Sequence, residues 1–128
     1  MESNPIRVLA AGLLFLAIFV TGYRLSSAGK PYNALLFNFH KLIGLATGVF
    51  LGLIVYRAHQ AAPLEALTIA VVAVTIVFAI ATVAAGGLLS VAKPMPAFVG
   101  LVHKVFPYLT VASAAVMLYL LLLPGGSR

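Results

Sequence analysis

Four long apolar runs fill most of the chain: roughly Ile6 to Tyr23, Ala34 to Tyr56, Leu64 to Leu89 and Ala97 to Leu123. Each comes near the about twenty residues that a helix rising 1.5 Å per residue needs to cross a ~30 Å hydrocarbon core. Lipid offers the backbone no hydrogen bonds, so a spanning segment must be a helix or part of a closed barrel. The strict alternation of a membrane barrel strand is absent, which leaves helix. Only 8% of the 128 residues are charged, against about 25% in soluble domains. A chain so poor in charge cannot keep a surface wet, and these residues leave no length for a soluble domain. The expected fold is therefore all-α: an integral membrane four-helix bundle forming a single transmembrane domain.

The breaks between runs carry turn residues. Gly29 to Asn33 form the first, His59 to Pro63 the second and Ser90 to Pro96 the third, and Pro124 to Arg128 follow the last run. Sliding the chain by 63 residues without gaps reveals a repeat. Leu25 falls on Leu88, Ser27 on Ser90, Lys30-Pro31 on Lys93-Pro94 and Ala34 on Ala97. His40-Lys41 falls on His103-Lys104, Thr47 on Thr110 and Tyr56 on Tyr119. The polar identities carry the weight, because apolar matches come cheaply in membrane segments. The reading is a duplicated helical hairpin, repeat one over 1–63 and repeat two over 64–128. Ser26-Ser27-Ala28 passes weakly as a leader-cleavage site, but the first run belongs to the repeat and is read as a span. Two-span units cross the bilayer in the same direction, so the copies are expected to be related by a twofold axis along the membrane normal. His40 and His103 are then expected at one depth, near one face, opposite each other.

The net charge of +6 does not point to nucleic acid, because the basic residues stand singly at the ends of apolar runs. They fit anchoring to anionic headgroups. Arg24, Lys30, Lys41, Lys93 and Lys104 cluster toward the first and third loops, against Arg7, Arg57 and Arg128 on the other face with Glu2 and Glu65. Positive charge favours the cytoplasm, so those two loops are expected inside and the termini outside. The absence of cysteine excludes disulfides, thiolate metal sites and thioether-bound haem. The two acids lie far from the histidine pair, and no Ser-His-Asp set or phosphate-binding glycine loop is present. No substrate-activating acid or base is apparent, so these residues do not read as those of an enzyme.

His40 and His103 remain as the residues able to carry chemistry. Ionisable side chains inside a span are costly and are functional candidates by default. One reading makes them interfacial histidines bonded to loop carbonyls. The other makes them the two axial ligands of a haem iron, a site that four-helix bundles build from facing helices. Gly44, one turn beyond His40 and followed by Gly48 and Gly52, offers either a flat approach for a porphyrin or simple close helix packing. Pro107 occupies the corresponding place in the second copy, where it removes the donor to the His103 carbonyl and predicts a local kink. Thr47 and Thr110, seven residues past each histidine, either face the cofactor or bond back to their own helix. Lys41 and Lys104 reach either haem propionates or lipid phosphates. His59 has no counterpart and reads as an interfacial polar residue.

The pattern H-K-x-x-[GP]-x-x-T on the second and fourth runs resembles small bacterial b-type membrane cytochromes, broadly similar to the cytochrome b561 and ferric-reductase groups. That resemblance implies one non-covalent haem b with His40 and His103 as axial ligands. The larger group commonly holds two haems on four histidines, whereas the far face here offers only His59. The leading expectation is a one-haem cytochrome exchanging electrons with quinol or a redox protein, with association to a second copy left open. A cofactor-free accessory or assembly subunit and a small transporter are the rival readings.

Overall fold

The computed structural model describes residues 4–91 and 93–122. Glu2, Ala92 of the third loop, Leu123 and the segment Pro124 to Arg128 lie outside the described residues. The described chain is all-α: α1 (Asn4–Ala28), α2 (Ala34–Ala61), α3 (Ala66–Leu89) and α4 (Ala97–Leu122). All four are long and apolar enough to cross a membrane, as in an integral membrane protein. They fall into two compact units, Met1–Ala62 and Pro63–Arg128. Each unit is a helical hairpin, with α1 against α2 in one and α3 against α4 in the other.

Local chemistry sets the helix ends. Gly29 follows α1 with φ 72° and its N–H donates to the Leu25 carbonyl at 3.1 Å, a left-handed cap that glycine adopts without steric cost. Asn33 caps α2 by accepting the Leu36 N–H at 3.0 Å. Pro94 and Pro96 precede α4 and cannot continue a helix backwards into the third loop. Two boundaries differ from the apolar runs. Helix α1 continues through Arg24 and Ser26-Ser27-Ala28, and α2 continues through Arg57 and His59 to Ala61. Helical hydrogen bonding does not stop where hydropathy does, because terminal polar side chains extend toward headgroups while the backbone stays paired. His59 thus sits in the last turn of α2, not in the second loop. Helix α4 runs through Pro107 as one element.

Apolar side chains divide between a seam inside each hairpin and a broad outer surface. In α2 the buried positions are Thr47, Leu51, Ile54 and Ala58, at the three- and four-residue steps of one helix face. Leu9, Leu13, Leu16 and Val20 of α1 are all at least half exposed, a stripe that water would not tolerate and lipid does. In α3, Thr68, Thr75 and Thr82 recur every seven residues. The Thr75 and Thr82 hydroxyls donate back to the Val71 and Phe78 carbonyls at 2.8 Å. Across that seam the Phe78 and Phe106 rings meet edge to face, centroids 5.7 Å apart.

Candidate functional site

Each histidine is the seventh residue of its helix, about 9 Å along the axis from the helix start. Both rings are half-buried and both reach across their own hairpin to the preceding helix. His40 Nδ1 lies 2.9 Å from Thr21 Oγ1 on α1. His103 Nδ1 lies 2.9 Å from the backbone carbonyl of Thr82 on α3. These Nδ1 partners are on neighbouring helices and neither is in a loop.

The bonds bear on the tautomers. A carbonyl oxygen only accepts, so His103 Nδ1 must carry the proton. Thr21 has a single hydroxyl proton, and it is directed to carbonyls of its own helix, Ala17 at 2.8 Å and Ile18 at 3.1 Å. When that proton goes to either carbonyl, the hydroxyl is left to accept from His40, so the arrangement accommodates an Nδ1–H ring there too. A neutral ring that donates through Nδ1 keeps its lone pair on Nε2. That is the state in which an imidazole ligates a metal, with the other nitrogen donating to a group that orients the ring.

The rings approach the neighbouring backbone at glycine. A Cβ added at Gly22 would stand 3.0 Å from His40 Cε1, and one added at Gly86 would stand 2.6 Å from His103 Cε1. Any side chain at Gly86 would displace the imidazole. Thr21, Gly22, Thr82 and Gly86 were not singled out from sequence. The signal that finds them is a second offset. At 64 residues Gly22 falls on Gly86, Ile18 on Thr82, Val8 on Val72 and Ala17 on Ala81. The second helix of each hairpin repeats at 63 and the first at 64, because Gly22 precedes Lys30 by eight residues and Gly86 precedes Lys93 by seven.

The other candidates separate. Added Cβ atoms at Gly44, Gly48 and Gly52 would meet nothing within 4 Å, so this row is not where α2 packs against α1. It drifts from about 40° to about 120° away from the direction of His40 at 3.6 residues per turn, so only Gly44 stays beside the ring. Thr47 and Thr110 are buried, and their hydroxyls donate to the Ile43 and Phe106 carbonyls at 2.7 and 2.8 Å. They take the back-bonding alternative. Lys41 is exposed with its ammonium 4.9 Å above the Phe37 ring centroid, one turn toward the first loop, as a snorkelling lysine does. Lys104 is exposed and Pro107 half-buried on α4.

Among the described residues no group of three or more His, Cys, Asp or Glu is placed to hold a metal ion. A site built from protein ligands alone is therefore absent there, whereas haem asks only two of the protein, its macrocycle supplying the rest. No family model, curated protein or solved structure matches the chain.

Proposed function

We propose that this protein is a b-type membrane cytochrome that holds one haem b near one membrane face, with His40 and His103 as its axial ligands. The observation supporting this is the shared placement of the two histidines: each sets Nδ1 2.9 Å from an oxygen of the preceding helix, which suits a ring that donates there and offers Nε2 to iron. Two such imidazoles match the requirement of a six-coordinate haem iron. Gly44 leaves room beside His40 for a flat group. Lys41 and Lys104 extend from the residues after the ligands and suit propionates or lipid phosphates. Bound haem would supply one-electron chemistry, with quinol or a redox protein as the exchanging partner. The residues of this chain hold and orient it, and the apolar helices exclude water. The basic first and third loops face the cytoplasm of a bacterial plasma membrane in this reading, with the termini outside.

Absorption spectra of the purified protein, oxidised and reduced, test the proposal. A red protein with a low-spin bis-histidine spectrum is expected. His40→Ala and His103→Ala should each abolish that spectrum while the apoprotein still inserts, and His59→Ala should leave it unchanged. A colourless protein from haem-sufficient cells would favour the accessory-subunit reading. Wild-type spectra in both histidine variants would end the cytochrome reading.

A further inference from the structure

The equivalence of Ile18 with Thr82 and of Gly22 with Gly86 exposes one construction used twice. On a helix, the side chain four residues on leans back over the preceding turn and covers the carbonyl there. Glycine has no such side chain. Gly86 therefore uncovers the Thr82 carbonyl, and His103 donates straight into it at 2.9 Å, its ring lying over the glycine. In the first hairpin Gly22 is placed to uncover the Ile18 carbonyl in the same way, and the His40 ring again lies over the glycine. Here a hydroxyl is inserted. Thr21 Oγ1 stands 3.1 Å from the Ile18 carbonyl and 2.9 Å from His40 Nδ1. At the position matching Thr21 the second hairpin has Ala85, which has nothing to insert.

We propose that Thr21 is a positioning residue that relays the His40 hydrogen bond to the α1 backbone, making the two prospective haem ligands unequal: one donates to a hydroxyl, the other directly to a carbonyl. This deepens the cytochrome reading and rests on it for its redox consequence, although the seat is a property of the apoprotein. A carbonyl already engaged in a helix and a hydroxyl whose proton is committed elsewhere differ as acceptors. The other ring nitrogen, the one that would meet iron, differs in basicity accordingly, and ligand basicity is one of the means by which a protein tunes its metal. Thr21 is thereby the side chain through which His40 can be adjusted without touching the ligand. His103 has no equivalent, since its acceptor is backbone.

The first measurement uses the full-length apoprotein in detergent, labelled with nitrogen-15. Histidine ring shifts should give Nδ1–H tautomers for His40 and His103, and a mixed population for exposed His59. Thr21→Val, which keeps the shape and removes the acceptor, should shift His40 toward a mixed population and leave His103 unmoved. Thr21→Ser restores the relay, and Thr21→Ala lets His40 fall onto the Ile18 carbonyl, so both should retain the Nδ1–H form. In haem-loaded protein Thr21→Val should raise the midpoint potential, because losing the acceptor makes His40 a weaker donor to ferric iron, whereas Thr21→Ser should leave it near wild type. An Nε2–H tautomer in the wild-type apoprotein, or a His40 signal and potential untouched by Thr21→Val, would overturn the relay. A colourless protein with the expected tautomers would sink the cytochrome reading and leave the seat standing. A red protein whose His40 ignores Thr21 would do the reverse.

Discussion

The two hairpins place a histidine at the same position of their second helix and hold it against the first helix by different atoms. In the first hairpin the partner of Nδ1 is a side-chain hydroxyl, and in the second it is a backbone carbonyl. Both rings rest on a glycine, but the second rests closer, by the 2.6 against 3.0 Å that an added Cβ would leave. The pattern beyond the ring differs too. Gly44 borders His40 with open space, whereas Pro107 and the Phe78–Phe106 contact border His103. What the copies share is an Nδ1 set 2.9 Å from an oxygen of the first helix, reached through different residues. That is the signature expected if the ring's orientation and tautomer, more than any neighbouring identity, are what the hairpin is built to provide.

The comparison breaks most sharply at the histidines themselves. If both hairpins feed one iron, His40→Ala and His103→Ala must each remove the low-spin spectrum. Loss in one variant alone would mean that the copies do separate things. Next in size is the glycine pair. Gly86→Ala should move the His103 ring, since nothing else within reach has to yield, and should cost about 10- to 100-fold in haem affinity, the usual scale for losing a ligand's orienting group. Gly22→Ala, at the looser contact, should cost less. Helix content by circular dichroism should be unaltered in both, because alanine suits a helix better than glycine. Equal losses, or a larger one at Gly22, would refute the ordering of the two seats.

Gly44→Leu probes the asymmetry beyond the rings. The open space at Gly44 accepts a leucine without displacing protein atoms, so apoprotein yield and thermal stability should match wild type. Haem retention should fall if a porphyrin edge needs that space. Unchanged haem retention would assign the space to lipid.

Much of the fold was legible because its causes are local. Apolar length sets the spans, Pro94 and Pro96 and the Gly29 and Asn33 caps set the turns, and Lys30-Pro31 and His40-Lys41 mark the repeat. The ends of α1 and α2 were not, because Arg24, Arg57 and His59 lower hydropathy without breaking the backbone ladder. Of the site, both histidines stood out as rare polar residues at matching depth. Their seats did not. Gly22 and Gly86 look like any membrane glycines, and an ungapped slide of 63 places Gly22 on Ala85. The second copy has one residue fewer between Gly86 and Leu88 than the first has between Gly22 and Leu25, so the bulk of the first helices falls out of phase with the second ones. The role of the Thr82 carbonyl has no sequence signature, since every residue has one and only the glycine four positions on uncovers it. Thr47 and Thr110, prominent in sequence, proved to bond within their own helices.

The smallest effect lies at the far end of the second hairpin. Thr68, Thr75 and Thr82 line α3, where the first hairpin has Asn4, Ala11 and Ile18 at the offset of 64. Thr75 spends its proton on the Val71 carbonyl. Thr68 is 1% exposed and its hydroxyl has no hydrogen-bond partner among the described residues. A buried hydroxyl in that state forfeits its solvation with no return, and replacing it by a methyl group of the same shape removes the loss. Thr68→Val should therefore stabilise the second hairpin by about 1 kcal/mol, at the low end of the usual range because polar groups in membrane proteins have modest net effects. Thr75→Val exchanges a satisfied hydroxyl for a methyl group and should change stability by less than about 0.5 kcal/mol. Reversible unfolding of both variants in mixed micelles measures the difference. A destabilised Thr68→Val would mean that its hydroxyl serves a bond the fold depends on. The contrast between a threonine seam in one hairpin and Ala11 in the other would then be one of function, not of packing alone.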